Sequence, residues 1–367
     1  MKIPMVDLNA QYYSIKEDID SAVKKVIESS AFIQGEFLEE FEKSFAQYLG
    51  KNHCIGTSSG TSALFVALKI LDIKEGDEVI TVPNSFIATA SQIKAVNARS
   101  VFVDIDENTG LINADKIEGK ITAKTKAIIP VHLYGNVCNM ERIIEIAQKN
   151  NLKIVEDCCQ AHGSEYTGKK VPVSDIGCFS FFPGKTLGAY GDAGCIVTDN
   201  EELAKKMKMF VNHGRETKYE HTYEGGNFRM HALQAAILSA KLKYLNQWIE
   251  KRKNLAEIYN NQLKEIKELG FFKSNEAINQ APYMYTIRVL NGKRNELIEN
   301  LAQKEIASQI YYPITLNKQP IYLKEYENEA YPVAEKLAEE IVSIPLYPEM
   351  TQEQQDKVIS SIKEFFC

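Results

Sequence analysis

Short apolar runs alternate with helical patterns through the first half of the chain. A helical pattern of apolar positions spans residues 140–149. Strands that alternate with helices predict a largely parallel sheet with helices on both faces, whose ligands bind at the carboxyl ends of the strands. Chemistry is therefore expected just after each strand. The strand-type runs lie at residues 78–82, 100–103, 127–132, 153–155, 176–182 and 195–198.

The pattern changes near residue 231. Between His231 and about Ile266, neither proline nor glycine interrupts a helix-favouring stretch, which predicts a long helix leading out of a first domain. We predict an α/β protein with a large sheet domain at residues 1–247 and a smaller α+β domain at residues 248–367. The elements expected in the second domain are a strand at 283–290, a helix at 295–304, a strand at 308–312 and a closing helix with capping-box spacing at Thr351 and Gln354.

Composition narrows the possible partners. The 367 residues are 44% hydrophobic and 25% charged, as expected of a globular protein with a sizeable core. The formal net charge of -6 and the absence of a basic stripe argue against nucleic acid and membrane surfaces as partners. The N-terminal segment has neither a secretory apolar region nor a membrane span, so a cytoplasmic location is expected. Seven cysteines without CxxC spacing are expected to be reduced thiols.

The most informative segment runs from Phe179 to Gly194. Aromatic, strand-forming residues lead into a glycine-rich loop with a single lysine, Lys185, near its start. A partly dry cleft in general favours the neutral amine, and a neutral lysine can form an imine with the aldehyde of pyridoxal phosphate. On local sequence alone, a solvated loop lysine is an equal alternative.

Three other segments follow predicted strands. Asp157 ends an apolar run, where a carboxylate could pair with a pyridinium nitrogen, although a helix cap or a salt bridge is the alternative. Its neighbour Glu156 must face the other way, because adjacent strand residues alternate. Residues 57–62 offer hydroxyls and free amides at a helix start, which suit either a phosphate or simple capping. Phe86 could lie flat on a cofactor ring, or pack in the core.

Taken together, these segments resemble the DegT/DnrJ/StrS-type sugar aminotransferases, which have the type I fold of the pyridoxal-phosphate-dependent aspartate aminotransferases. That fold has a large, mostly parallel sheet domain flanked by helices and a smaller C-terminal α+β domain. The likeness runs through nearly the whole chain. Its ordered motifs are at residues 59–64, 155–163, 179–194, 226–230, 312–314 and 344–348.

The resemblance implies a role for each candidate residue. Lys185 would be the catalytic Schiff-base lysine and proton shuttle, and Asn227 would reach the cofactor phosphate of a neighbouring subunit, which implies a homodimer with shared active sites. Arg229 and Tyr312 are candidates for substrate binding. His162 is expected to be structural. The other cofactor contacts would be Asp157 to the ring nitrogen, Gln160 to the phenolic oxygen, Phe86 on the ring face, and Ser180 with the amides of Gly60 and Thr61 on the phosphate.

The loop at residues 187–194 indicates the substrate. Its Leu-Gly-x-x-Gly-Asp-x-Gly pattern resembles members that act at the sugar C3, which favours a dTDP-linked 3-keto-6-deoxyhexose. L-glutamate would donate the amino group in a ping-pong reaction through pyridoxamine phosphate. The alternatives are a UDP-linked 3-keto sugar, or a C4 aminotransferase on a UDP- or dTDP-linked 4-keto sugar. Asn317 stands where many relatives have histidine, which puts the sugar contacts of that loop in doubt.

Other classes fit the residues less well. A P-loop ending at Gly184-Lys185-Thr186 would require glycine where Phe179 stands. Sugar dehydratases of the same fold replace the lysine with histidine, so Lys185 favours transamination. A sensor without turnover would not need the full set of cofactor residues. No metal is expected, because the adjacent Cys158 and Cys159 would diverge on a strand.

Overall fold

A computed structural model describes all 367 residues. No helix in it is both long and apolar enough to cross a membrane. The α-helices are α1 (Leu8–Ser14), α2 (Lys16–Ser29), α3 (Glu36–Leu49), α4 (Gly60–Ile70), α5 (Ile87–Ala95), α6 (Met140–Lys149), α7 (Glu201–Phe210), α8 (Ala232–Leu242), α9 (Leu245–Leu263), α10 (Arg294–Gln303), α11 (Pro332–Glu340) and α12 (Gln352–Phe366). The strands are β1 (His53–Thr57), β2 (Glu78–Thr81), β3 (Arg99–Phe102), β4 (Thr125–Ile128), β5 (Lys153–Asp157), β6 (Glu165–Tyr166), β7 (Lys169–Lys170), β8 (Ile176–Ser180), β9 (Gly194–Thr198), β10 (Leu269–Phe271), β11 (Ile278–Asn279), β12 (Tyr285–Val289) and β13 (Ile341–Ile344).

A seven-stranded sheet forms the centre of the molecule, in the order β1-β9-β8-β5-β4-β2-β3. Its strands pair in parallel from β3 across to β8, and β9 runs antiparallel to both β8 and β1. Both faces are covered. Adjacent residues of β8 show this, since Cys178 packs in one hydrophobic cluster and Phe179 in the other. The predicted, largely parallel sheet with helices on both faces is confirmed.

A second, three-stranded antiparallel sheet has the order β10-β12-β13 and packs with α9, α10 and α12 around its own hydrophobic core. Ile3 belongs to this core, and it bridges to Ile306, so the N-terminus is joined to the second region. A small third sheet, β11-β6-β7, connects the two regions by pairing Ile278 with Tyr166. A domain boundary at residue 247 would fall within α9 and stays a prediction.

Two predicted elements differ from the structure. The long helix from His231 is two helices, α8 and α9, which meet at Lys243 and Tyr244. At the break the Tyr244 backbone departs from regular helical geometry, with φ -97° and ψ -9°, and its hydroxyl donates to Asp18 of α2. The predicted strand at 308–312 is wrong. Only Gln309 bridges to β13, because the following tyrosines turn out of the sheet toward the strand ends.

Candidate active site

The carboxyl ends of neighbouring strands carry most of the predicted site residues. Asp157 ends β5, and Ser180 ends the adjacent β8, three residues after Gly177 pairs with Glu156. Phe86 caps α5, which follows β2. The sheet therefore gathers residues from distant parts of the sequence at one edge, as the strand-end rule for parallel sheets requires.

Asp157 is held at both carboxylate oxygens. The Cys159 amide donates to Oδ1 at 3.1 Å, and the Thr89 hydroxyl donates to Oδ2 at 3.0 Å. The residue is only 6% exposed. Two hydrogen bonds from the protein leave the remaining lone pairs of the carboxylate for a partner in the cleft.

Glu156 points to the opposite side of the sheet. Its carboxylate accepts the Nε2–H of His132 at 2.8 Å and a hydrogen bond from the Ser174 amide. His132 Nδ1 accepts the Cys138 amide at 3.2 Å, which assigns the ring proton to Nε2. Although burial opposes ionisation, the hydrogen bonds from His132 and Ser174 hold the Glu156 pKa below its usual value. Because both ring nitrogens are satisfied, this buried group is complete without a metal, even though Cys158 brings a third ligand atom within 4.8 Å.

The start of α4 and the end of β8 form a tight concave surface. A Cβ on Gly60 would lie 2.6 Å from Ser180 Cβ and 2.9 Å from Cys159 Sγ, so only glycine fits there. Ser59 and Ser62 form a capping box and satisfy each other's amides. The amides of Gly60 and Thr61 donate to no group of the protein. Two free amides beside the Ser180 hydroxyl at a helix N-terminus suit a phosphate.

Lys185 faces an aromatic ring from the second region. Its ammonium nitrogen lies 4.6 Å from the centroid of Tyr283 and forms no salt bridge. The Tyr283 backbone is anchored by Arg252, whose Nη1 donates to the carbonyls of Tyr283 at 3.0 Å and Leu346 at 2.6 Å. Sequence reasoning missed Tyr283, because nothing in its local pattern indicates that it reaches a lysine about a hundred positions earlier.

Gln160 joins the two regions. Its Oε1 accepts the Tyr134 amide at 2.9 Å, and its Nε2 donates to the Tyr312 hydroxyl at 3.2 Å, which leaves one amide hydrogen free. The Phe86 ring is 53% exposed and lies 6.0 Å from the Tyr312 ring, between centroids. Burial raises the pKa of Tyr312, and the charge interaction with nearby Tyr283 adds a smaller increase. The Tyr312 hydroxyl is therefore neutral at physiological pH.

His162 is fully buried below these residues. Its ring lies 5.3 Å from the Phe179 ring and 5.6 Å from the Phe181 ring, between centroids, and neither nitrogen is paired with a side chain. Burial, with a smaller contribution from the charge on Lys185, lowers its pKa to about 3. The ring is therefore neutral at physiological pH.

The remaining predicted residues lie beside β1 or away from the cleft. Arg229 bridges to Thr57, and its Nη1 donates to Asn212 at 2.8 Å without any carboxylate partner. Asn227 is exposed, and its side chain has no hydrogen bond within the chain. Asn317 is buried, with its amide directed to Glu335 Oε1 at 3.4 Å, in a segment that packs against the core of the large sheet.

Comparison with known proteins agrees with a cleft that contains Lys185, Asp157 and a phosphate site at Ser180 and Gly60. A model of the DegT/DnrJ/EryC1/StrS aminotransferase family matches residues 13–363. The chain belongs to this family. The aminotransferase class that the sequence predicted is thereby confirmed.

Two curated relatives match this aminotransferase along its whole length. It is 41% identical over 370 residues to a pleiotropic regulatory protein from Geobacillus stearothermophilus, with 100% of this chain and 99% of the relative covered. It is 40% identical over 365 residues to the dTDP-3-amino-3,6-dideoxy-alpha-D-galactopyranose transaminase of Aneurinibacillus thermoaerophilus, with 99% of each chain covered.

A solved structure supports both fold and cofactor. The crystal structure of NtdA from Bacillus subtilis with bound cofactor PMP has a TM-score of 0.93 and 35% identity, covering 100% of this chain and 85% of that chain. The predicted type I fold and the predicted pyridoxal phosphate cofactor are confirmed for this aminotransferase. The residues present fit the cofactor, since two free amides and a hydroxyl suit its phosphate and Asp157 suits its ring nitrogen.

Proposed function

We propose that this aminotransferase moves the amino group of L-glutamate to C3 of a dTDP-linked 3-keto-6-deoxyhexose. The observation that carries this proposal is the similarity to the Aneurinibacillus transaminase, at 40% identity over 99% of each chain. The 187–194 loop pattern supports the same position on the sugar. Its backbone is fixed, because Gln234 accepts the Tyr190 amide at 2.9 Å and Lys241 donates to the Gly188 carbonyl at 2.7 Å.

Each residue of the cleft has a defined task in this proposal. Pyridoxal phosphate, when bound, supplies an aldehyde and a ring that accepts electrons. Lys185 Nζ binds the aldehyde carbon at rest and, once released, moves a proton to and from the reacting carbons. Asp157 holds a proton at the ring nitrogen. The phosphate is bound by Ser180 Oγ and the amides of Gly60 and Thr61, and the phenolic oxygen takes the free amide hydrogen of Gln160.

The aromatic side chains complete the cleft. Phe86 offers an exposed ring face to the cofactor ring. Tyr312 remains a candidate for substrate binding, because its neutral hydroxyl lies beside Gln160. Arg229 has no carboxylate partner in the chain, which supports a role in binding the carboxylate of L-glutamate.

We further propose a homodimer in which Asn227 reaches the partner's cofactor phosphate. The exposed and unpaired state of Asn227 supports this role. Large exposed apolar side chains near it and near the lysine loop are suited to an interface. They are Phe32, Ile33, Phe182, Tyr219 and Tyr223. All seven cysteines are free thiols, which supports the cytoplasm as the working compartment.

The test is a substrate panel. Purified protein with pyridoxal phosphate and L-glutamate is offered dTDP- and UDP-linked 3-keto and 4-keto sugars, and the amino product is identified by mass spectrometry. We expect the dTDP-3-keto sugar to react fastest. Preference for a 4-keto sugar would contradict the assignment of the reaction to C3, and preference for a UDP-linked sugar would contradict dTDP as the nucleotide carrier. Borohydride reduction followed by peptide mapping should label Lys185, whereas a pure sensor would give neither label nor product.

A further inference from the structure

Two buried hydroxyls continue from Asp157 into the protein. Thr89 Oγ1 lies 3.0 Å from Asp157 Oδ2, and Ser85 Oγ lies 2.9 Å from Thr89 Oγ1. Ser85 is 3% exposed and Thr89 is 1% exposed. The three side chains therefore form a chain of hydrogen bonds that is closed to solvent except at the carboxylate.

The direction of these hydrogen bonds follows from charge. Each hydroxyl has one proton, so Thr89 can donate either to Ser85 or to Asp157. A hydrogen bond to a carboxylate is roughly twice as strong as one between neutral groups. Thr89 therefore donates to Asp157 and accepts from Ser85. Ser85 makes no other side-chain hydrogen bond, so its proton is free for this role.

The local fold explains why both residues face the acid. Ser85 directly precedes Phe86, the cap of α5, and Thr89 lies in the first turn of that helix, one turn after Ser85. The same turn thus presents a ring face through Phe86 and a hydroxyl through Thr89. Phe86 would face the cofactor ring, and Thr89 contacts the acid that would pair with the ring nitrogen.

We propose that Thr89 is a positioning residue that fixes the Asp157 carboxylate toward the cofactor's ring nitrogen, and that Ser85 holds Thr89 in its donating orientation. The inference rests on the proposed pairing of Asp157 with that nitrogen. The Cys159 amide already fixes Oδ1, so without Thr89 the second oxygen has no protein donor and the carboxylate can turn about its last side-chain bond. A turned carboxylate holds the ring proton less well.

The test compares Thr89→Val with Thr89→Ser. Valine keeps the shape and removes the hydroxyl, and serine keeps the hydroxyl. We expect Thr89→Val to change the visible absorption spectrum of the bound cofactor and to slow the half-reaction with L-glutamate at least about tenfold, the loss that fits one hydrogen bond to a charged group. Thr89→Ser should keep the wild-type spectrum and a rate within about threefold of wild type. A wild-type spectrum and rate in Thr89→Val would overturn the proposal.

Asp157→Asn separates this proposal from the one it rests on. If Asp157→Asn has a wild-type spectrum, then the pairing of Asp157 with the ring nitrogen is what fails. If Asp157→Asn changes the spectrum, then adding Thr89→Val to it should cause no further change, and an additive change would contradict a role through Asp157. If Thr89→Val does not fold, Ser85→Ala takes its place in the test. We expect it to slow the half-reaction about threefold, the loss that fits a neutral hydrogen bond. An unchanged rate would contradict the hydrogen-bonded series from Ser85 through Thr89 to Asp157.

Discussion

The floor and the wall of the cleft are built in different ways. The floor, formed by Asp157, Ser180, Gly60 and Lys185, comes from strand ends, the loop after β8 and a helix start in the large sheet, so the pairing of the strands fixes its positions. The wall, formed by Tyr283 and Tyr312, comes from the second region and is held by long-range contacts to Arg252 and Gln160.

This difference separates two kinds of specificity. Cofactor chemistry is the same for every substrate, and it depends on atoms that the backbone of the sheet fixes in place. Recognition of a particular sugar can change without disturbing the sheet, because Tyr283 and Tyr312 lie outside its strands and are held by contacts to Arg252 and Gln160. Substitutions in the floor should therefore weaken cofactor binding or abolish turnover, whereas substitutions in the wall should alter its rate and substrate affinity.

The largest effect is expected from Lys185→Ala in the floor. Without its amine no imine with the cofactor can form at rest and no group moves the proton, so transamination should fall by at least about 10³-fold. The measurement is the single-turnover rate with L-glutamate, with circular dichroism as the folding control. An unchanged rate would remove the central claim about this cleft.

Gly60→Ala should introduce a steric clash in the floor of the cleft. The added Cβ would meet Ser180 Cβ at 2.6 Å and Cys159 Sγ at 2.9 Å, and overpacking of this kind costs about 1–3 kcal/mol. We expect affinity for pyridoxal phosphate to fall roughly 10- to 100-fold. The matched control is Gly184→Ala in the lysine loop, where the nearest atom would be 4.0 Å away. Equal affinities for the two variants would show that the phosphate lies elsewhere.

The floor was largely predictable from the sequence, because its signals are local. An apolar run that ends in an acid predicts an acid at a strand end, and Asp157 lies there. Serines and a glycine before an apolar helical pattern predict a helix start, and α4 begins at Gly60. The 140–149 pattern likewise matches α6.

The wall was less predictable, because it depends on contacts between distant residues. The tyrosines at 311 and 312 have a β-type composition, yet they leave the sheet after Gln309 to reach Gln160. Tyr283 reaches Lys185 only through the packing of the second region on the first. Thr89 had a usable signal, since a hydroxyl one turn after Ser85 at a helix start can point to the strand ends.

Substitutions at Tyr283 test the contribution of the wall to the reaction. Tyr283→Leu removes the ring that lies 4.6 Å from the Lys185 nitrogen, and a cation–π contact contributes about 0.5–2 kcal/mol. We expect Tyr283→Leu to lower the transamination rate roughly three- to tenfold, and Tyr283→Phe, which keeps the ring, to remain within about twofold of wild type. Stopped-flow absorbance of the glutamate half-reaction measures this. A loss of rate equal to that of Lys185→Ala would contradict this limited role and would mean that Tyr283 is as necessary to the reaction as Lys185.

The smallest effect is expected below the floor, at His162. Its pKa is about 3 in the folded protein, lowered mainly by burial, against 6.5 as the ordinary value. The unfolded chain therefore binds a proton below about pH 6.5 that the folded protein does not, so this residue lowers stability as pH falls through that value. His162→Gln removes the titration, and between pH 7 and pH 5.5 the variant should lose about 1 kcal/mol less stability than wild type. Thermal melting of the cofactor-free protein at the two pH values measures the difference, and parallel losses would mean that the ring is protonated or solvated in the folded state.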